Sequence, residues 1–275
     1  MKLGTTVNHF NVYKTDRYKK MKEFGFDYAD YGISGELNGR TEEEYEALIL
    51  AEKELADEAG VTIWQVHGPW RYPPHDETEE LRAERADVMK RSIRLTSKIG
   101  CKYWVIHPLM PFGAKSDFAQ DAFWKINYDF FSNLVQYAKK FNVTICLENM
   151  PMKRLSMSRT EKTLEFIHQI NDENFKLCFD TGHEAVFDTS IEKAIRLSGE
   201  DLKVIHVHDN DGKSDRHWVP YMGMIDWNAV YRTLQEINFD GVFSLEIGFG
   251  QFLPNASNDL RLHTLKVIMD DIVKQ

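Results

Sequence analysis

Six polar residues recur at one kind of place along the chain. Each stands directly after a short apolar or β-branched run: His67 after VTIWQV, His107 after CKYWVI, Glu148 after VTICL, Asp180 after FKLCF, His206 after LKVI and Glu246 after VFSL. Imidazoles and carboxylates are the side chains that ligate divalent cations. Any one of them alone reads as an ordinary hydrogen-bonded residue at a strand end, but together they demand a common explanation. Carboxylates gathered in one crevice repel one another and resist ionising together unless a cation neutralises them. The mixed oxygen and nitrogen set suits Mn²⁺, Zn²⁺, Co²⁺ or Mg²⁺ and not a thiolate site, and Cys101, Cys146 and Cys178 are not expected to ligate.

Further residues extend this set. His183 lies one turn past the strand end in Asp180-Thr-Gly-His183, and Asp215 and His217 lie in the polar loop within HVHDNDGKSDRHWVPYMGMIDW. His208 shares a face with His206 by strand alternation, so spacing leaves open which is the nearer ligand. Trp70, Phe112, Trp124, Trp218 and Tyr221 stand near the same segments, where aromatics either cover a sugar ring or pack beneath a loop. Arg71 and Lys213 are the candidate contacts for a phosphorylated substrate.

The elements that must position these residues follow from the same runs. Strands are expected at 2–7, 26–31, 61–66, 101–106, 143–147, 175–179, 202–205 and 242–245, separated by long amphipathic segments. Several runs are continuously apolar, as parallel strands buried on both faces are. Thr41 with Glu44, Ser158 with Glu161 and Thr189 with Glu192 have the capping-box spacing of helix starts, and Gly60, Gly100 and Gly199 lie where helices should stop. No Gly-rich phosphate fingerprint follows the first strand, where Thr5-Thr6-Val7-Asn8 stands, which disfavours an open doubly wound sheet. The expected fold is a single α/β (β/α)₈ TIM barrel occupying residues 1–275 as one domain. In such a barrel the C-terminal strand ends converge on one rim, and the gaps of 26 to 41 residues between the six polar positions match one strand–helix unit each.

Composition narrows the function. The net charge of -9 is spread over helical stretches and no Lys/Arg stripe stands out, which argues against a nucleic-acid partner. No window approaches the roughly 20 apolar residues of a membrane span, and MKLGTTVNHF lacks a signal-peptide core. Three cysteines, each in an apolar run, fit buried positions in a reducing compartment, so a cytoplasmic protein is expected.

Through HGP (67–69), IHP (106–108), LEN (147–149), FDTGH (179–183), HVHDND (206–211), DRH (215–217), GMIDW (223–227) and LEI (245–247), the chain resembles the xylose isomerase-like TIM-barrel superfamily over almost its whole length. That superfamily holds sugar and sugar-phosphate isomerases and epimerases, inosose dehydratase and the endonuclease IV class. The resemblance implies a divalent metal centre at Glu148, Asp180, His206 and Glu246, with His183 against substrate. It also supplies counterparts for nine endonuclease IV ligands, adding His67, His107, Asp215 and His217, so the ligand set alone does not choose between the branches. HVHDNDGKSDRH followed by Gly and IDW is similar to sugar-phosphate isomerases/epimerases, and the acidic segment YGISGELNGRTEEEY after the second strand is unlike a DNA-lining loop. One departure is Pro220-Tyr-Met-Gly223, where related sequences often carry Pro-Gly-x-Gly.

The expected activity is therefore metal-dependent isomerisation or epimerisation of a small-molecule sugar or sugar phosphate. Glu148 and Glu246 would exchange protons beside a carbonyl through a metal-stabilised enediolate, with His67, His107, His183, His208, Trp70 and Lys213 around the substrate. The alternatives are a zinc phosphodiesterase acting on abasic DNA and an inosose dehydratase-like lyase. Homo-oligomers are common in the superfamily.

Overall fold

The computed structural model describes residues 1–70, 73–187 and 189–274. The expected apolar runs become β1 (Lys2–Thr6), β2 (Tyr28–Gly32), β3 (Thr62–His67), β4 (Tyr103–Ile106), β5 (Thr144–Glu148), β6 (Phe175–Asp180), β7 (Leu202–Val207) and β8 (Val242–Leu245). Each pairs in parallel with the next, and β8 returns to β1 to close the barrel. Crossovers carry α1 (Arg17–Glu23), α2 (Glu42–Ala59), α3 (Glu79–Lys98), α4 (Gln120–Lys139), α5 (Thr160–Ile170), α6 (Thr181–Ala185), α7 (Ile191–Ser198) and α8 (Trp227–Glu236), and α9 (Asn258–Val273) follows β8. The architecture is the (β/α)₈ barrel read from the pattern of runs.

Local chemistry sets most boundaries. Thr41 and Glu44 form the capping box at the start of α2, and Gly60 ends that helix in the left-handed region at φ 68°. Two expected caps are corrected. Ser158 Oγ donates to the Met152 carbonyl and α5 begins on Arg159 with no side-chain cap. Thr189 instead donates to Glu184, and α7 is capped one residue later, by Ser190 accepting from the Lys193 N–H. In both cases a tertiary partner outcompetes the local one.

The barrel interior explains the recurrent polar positions. Val105, Cys146, Cys178 and Val204, one from each of four adjacent strands, form a buried layer inside the barrel. Two residues further along each of these segments stand His107, Glu148, Asp180 and His206. Period-two alternation therefore puts the polar set on the inward face, one layer nearer the C-terminal rim. Register completes the arrangement, because Asp180 sits directly beside His206 across β6 and β7.

A second inward position was not read from the sequence. A register shift between Ala29 and Asp30 pairs Asp30 with Gln65, and both are buried. Asp30 Oδ2 lies 3.6 Å from His206 Nε2. Burial raises the Asp30 carboxyl above its ordinary range, against the pull of His206.

At the β1–β8 seam, His9 Nε2 lies 3.2 Å from the Ile247 carbonyl while its Nδ1 lies 2.8 Å from Thr5 Oγ1. Thr5 also reaches the Leu245 carbonyl at 3.3 Å. These contacts flank Glu246 and hold the backbone that carries it. Burial drives the His9 imidazole down to about 4 from 6.5. Between those values the unfolded chain binds a proton on His9 that the folded chain does not. The stability associated with this group is therefore present above pH 6.5 and is lost as pH falls towards 4. Between pH 7 and 4.5 the wild type is expected to lose roughly 2–3 kcal/mol more than His9→Gln. Urea midpoints at the two pH values measure this, and equal losses in both proteins would refute it.

Candidate metal centre and active site

Ligand atoms of Glu148, Asp180, His206 and Glu246 all lie within 4.8 Å of one another. His206 Nδ1 is 3.1 Å from Glu148 Oε1 and 3.0 Å from Glu246 Oε2. Glu148, Asp180 and His206 are buried, whereas the Glu246 side chain is 29% exposed at the mouth. Two further groups adjoin this one within the same spacing: His67 and His107 with Glu148, and His183, His208, Asp215 and His217. The two histidines that alternation left unresolved thus part company. His206 faces the glutamates, while His208 Nε2 lies 3.0 Å from Asp180 Oδ1 and its ring stacks on His217 at 4.1 Å between centroids.

Buried polar atoms test whether these residues suit a cation. Glu148 Oε2, Asp180 Oδ2, Glu246 Oε2 and the Nε2 atoms of His206 and His208 are buried without a well-formed hydrogen bond among the described residues, although His107 stands 3.1 Å from Glu148 Oε2, His206 3.0 Å from Glu246 Oε2 and His208 Nε2 3.0 Å from Asp180 Oδ1. Uncompensated burial of such groups is expensive, and a cation among them would satisfy several at once. The remaining histidines are prepared in the same sense. His67, His183 and His217 have Nδ1 against the carbonyls of Gly68, Asn149 and Glu246 at 3.0, 2.8 and 2.8 Å. An Nδ1–H donated to a carbonyl leaves Nε2 as the ligating atom, the arrangement usual in metal sites. The donor set fits a divalent cation.

Electrostatics of the bare chain support the same conclusion. Burial would raise the Glu148 carboxyl, but His206 and His107 hold it well below the usual carboxylate range. Glu246 is also held low, with burial opposed chiefly by His206. In return His206 is raised well above its ordinary value, although burial alone would lower it. Burial likewise opposes the rise of His67 to about 9, carried by Glu148, and of His183 to about 10, carried by Asp180 and Asp215. Clustered carboxylates and protonated imidazoles thus balance each other, and bound metal would displace those protons.

The Cys178 thiol lies within 4.8 Å of ligand atoms of Glu148 and His206. It belongs to the layer just below, and burial pushes its pKa well up, so it forms a protonated floor beneath the site. All three cysteines are buried and free.

The loop after β7 is built on Asp209, a residue the strand-end pattern did not single out. Its buried carboxylate accepts from the N–H groups of Asn210, Gly223 and Ile225 and from Trp227 Nε1 at 2.9 to 3.2 Å. Gly182 lets α6 approach His208, because a Cβ there would stand 2.0 Å from the ring. Asp209→Ala would strand those buried donors and is expected to destabilise the chain by roughly 3–5 kcal/mol. Urea denaturation tests this, and a loss below about 1 kcal/mol would contradict the structural role.

A cavity of about 850 Å³ opens above this carboxylate and imidazole cluster, lined by Glu148, Glu246, His67, His107, His183, Asp215, His217 and Trp70 among others. Other expected contacts fall elsewhere. His208 is buried beneath the lining, and Lys213 is exposed and outside it. Arg71 lies outside the described residues. Phe112 stacks on Phe118, Trp124 packs on Phe166 and bonds Gln169, Trp218 bridges to Asp209, and Tyr221 bonds Asp271. None of these four lines the cavity, nor does the Pro220–Gly223 segment. Phe112 and Trp124 pack against the core, Tyr221 is exposed, and Trp70 alone of the five aromatics lines the cavity.

A closed parallel barrel with its polar side chains gathered at the C-terminal strand ends defines a TIM barrel of the kind that carries a site on that rim. The chain belongs to the xylose isomerase-like TIM barrel family, whose model matches residues 18–262. It is similar to an uncharacterised protein of Methanocaldococcus jannaschii, with 30% identity over 197 residues, 70% of this chain and 67% of that one. It is also similar to the D-psicose 3-epimerase of Ruminiclostridium cellulolyticum, with 26% identity over 204 residues, 70% and 66% of the two chains. Across the first curated relatives the match spans 62 to 67% of their length. Among solved structures, the IOLI protein with a bound zinc atom superposes with a TM-score of 0.78 at 19% identity, over 99% of this chain and 98% of that one. No helix of the described residues is long and apolar enough to cross a membrane.

Proposed function

We propose that the protein is a divalent-metal-dependent sugar isomerase/epimerase that moves a proton at the carbon beside a carbonyl. One observation carries the reading: two glutamates approach the same imidazole, one buried and one at the mouth, at the base of a cavity large enough for a sugar. The epimerase among its relatives supports it. Glu148, Asp180, His206 and Glu246 would hold the metal, which when bound supplies Lewis acidity to a carbonyl and its neighbouring hydroxyl. Glu148 and Glu246 take and return the proton. Two carboxylates would suit epimerisation, one taking the proton and the other returning it to the opposite face. His183, fixed by the Asn149 carbonyl, orients a substrate oxygen. Trp70 shields the reacting carbon from water.

Incubating the Mn²⁺-supplemented protein with a panel of ketoses, ketose phosphates and inososes in heavy water tests the proposal. Deuterium entering beside the carbonyl, and ceasing with chelator, is the expected result. No incorporation across the panel would overturn it, and loss of water from an inosose would assign the lyase chemistry instead. A second reading, hydrolysis of phosphodiesters by several zinc ions, is favoured by the two further ligand groups that adjoin the Glu148 cluster. Chelator-sensitive cleavage of an abasic duplex, weakened by Asp215→Asn, would select it.

A further inference from the structure

The cavity draws its acids and its arginines from different segments. Its acids, Glu148, Asp215 and Glu246, come from the rim after β5, β7 and β8, whereas the charged residues contributed by the segments after β1 and β2 are Arg17 and Arg40. Asn8, Asn11 and Ser34 add polar groups beside them, and Tyr45, Leu48 and Ile49 of α2 form an apolar wall. Although the segment after β2 is acidic in sequence, its acids turn elsewhere: Glu42 pairs with Arg91 and Arg94, and Glu44 caps α2. Arg40 is the residue of that segment whose charge lines the cavity.

The two arginines differ in their compensation. Arg17 is paired with Glu52 and donates Nη1–H to the Lys14 carbonyl, so its charge is largely offset. Its Nε is nevertheless buried without a hydrogen-bond partner among the described residues. Arg40 is exposed to solvent and has no carboxylate partner among the described residues. Its loop is pinned in place. Ile33 N–H donates to the His67 carbonyl, Ser92 Oγ donates to the Ile33 carbonyl and Arg91 Nη1 donates to the Gly35 carbonyl. Gly35 sits at φ 71° with its missing Cβ facing the Val88 carbonyl at 2.2 Å, so the loop lies flush on α3.

We infer that the substrate is a sugar carrying an anionic group, phosphate or carboxylate, and that Arg40, which lines the same cavity as Arg17, receives that group. The inference rests on the proposed sugar chemistry at the glutamates of that cavity. It replaces Lys213, which stands outside the lining, as the phosphate contact. The physical case is complementarity. The acidic residues call for a cation and repel a bare anion, while Arg40 offers a guanidinium whose planar donors match phosphate or carboxylate oxygens. A cavity of about 850 Å³ also stands near the upper end of small-molecule sites, which run to roughly 1,000 Å³.

Calorimetry with unreactive probes tests the inference without requiring turnover. D-Glucitol 6-phosphate, D-gluconate and neutral D-glucitol are titrated into the full-length protein, once with Mn²⁺ and once with EDTA. One or both charged probes are expected to bind roughly 10- to 100-fold tighter than glucitol, and the stronger of the two identifies the anion. The preference should persist in EDTA, fall towards unity in Arg40→Ala and return in part in Arg40→Lys. Equal affinity for charged and neutral probes, or a preference untouched by Arg40→Ala in a protein with native circular dichroism, overturns the inference. Turnover of neutral ketoses with no charged-probe preference would sink this inference and leave the sugar chemistry standing. An Arg40-dependent preference with no turnover of any sugar would do the reverse.

Discussion

Glu148→Gln is expected to abolish deuterium exchange beside the substrate carbonyl, with a loss of at least roughly 10³-fold, within the range a positioned acid–base group contributes. Glu148 borders two of the ligand groups: His67 and His107 approach its Oε2 at 3.7 and 3.1 Å, and His206 approaches its Oε1 at 3.1 Å. Gln preserves the volume and one acceptor oxygen but removes both the basicity and the charge that holds those imidazoles. Glu246→Gln should also stop exchange, through loss of the second proton carrier, but with less effect on the fold because Glu246 stands at the mouth. Inversion is expected to fall together with exchange in both variants, and the two are followed by NMR on one sample. Native circular dichroism with exchange at undiminished rate in both variants would remove these residues from the chemistry.

The barrel was legible because its strands are continuous apolar runs, and the polar rim because each run ends in one conspicuous side chain. The same rule shows what escaped it. Asp30 stands in the middle of β2, and a register shift turns it beside Gln65 and towards His206, a displacement that alternation within one strand does not encode. Asp209 was passed over because it follows two histidines in the same polar stretch, although its buried hydrogen bonds hold the loop. His206 and His208 share a face by period two, and only the tertiary positions of Asp180 and Glu246 assign them to different neighbours. Arg40 was hidden by its acidic surroundings. Sequence shows the charges of a segment but not which of them face inward.

Chelation should reveal itself as strongly in stability as in rate. Asp180 and Glu246 lie with Glu148 and His206 inside a 4.8 Å cluster, and their oxygens without a well-formed hydrogen bond are groups a cation would satisfy. A ligand bound only by the folded chain, at about 1,000 times its dissociation constant, adds about 4 kcal/mol to folding stability. For a chain of this size that corresponds to roughly 8–16 °C in melting temperature. Melting with saturating Mn²⁺, Zn²⁺, Co²⁺ or Mg²⁺ and with EDTA ranks the ions, and activity should vanish with chelator and return with the ion that stabilises most. Asp180→Asn is the sharper control. The amide oxygen can still accept the 2.6 Å bond from the His183 N–H, so α6 keeps its cap, while the anionic ligand is gone. The variant is therefore expected to fold and to lose most of the metal-induced shift together with the metal-dependent rate. Identical melting with and without each ion, in a protein that nonetheless turns over sugar, would show that the carboxylate cluster works by its own protons and that the imidazoles, not a cation, balance its charge.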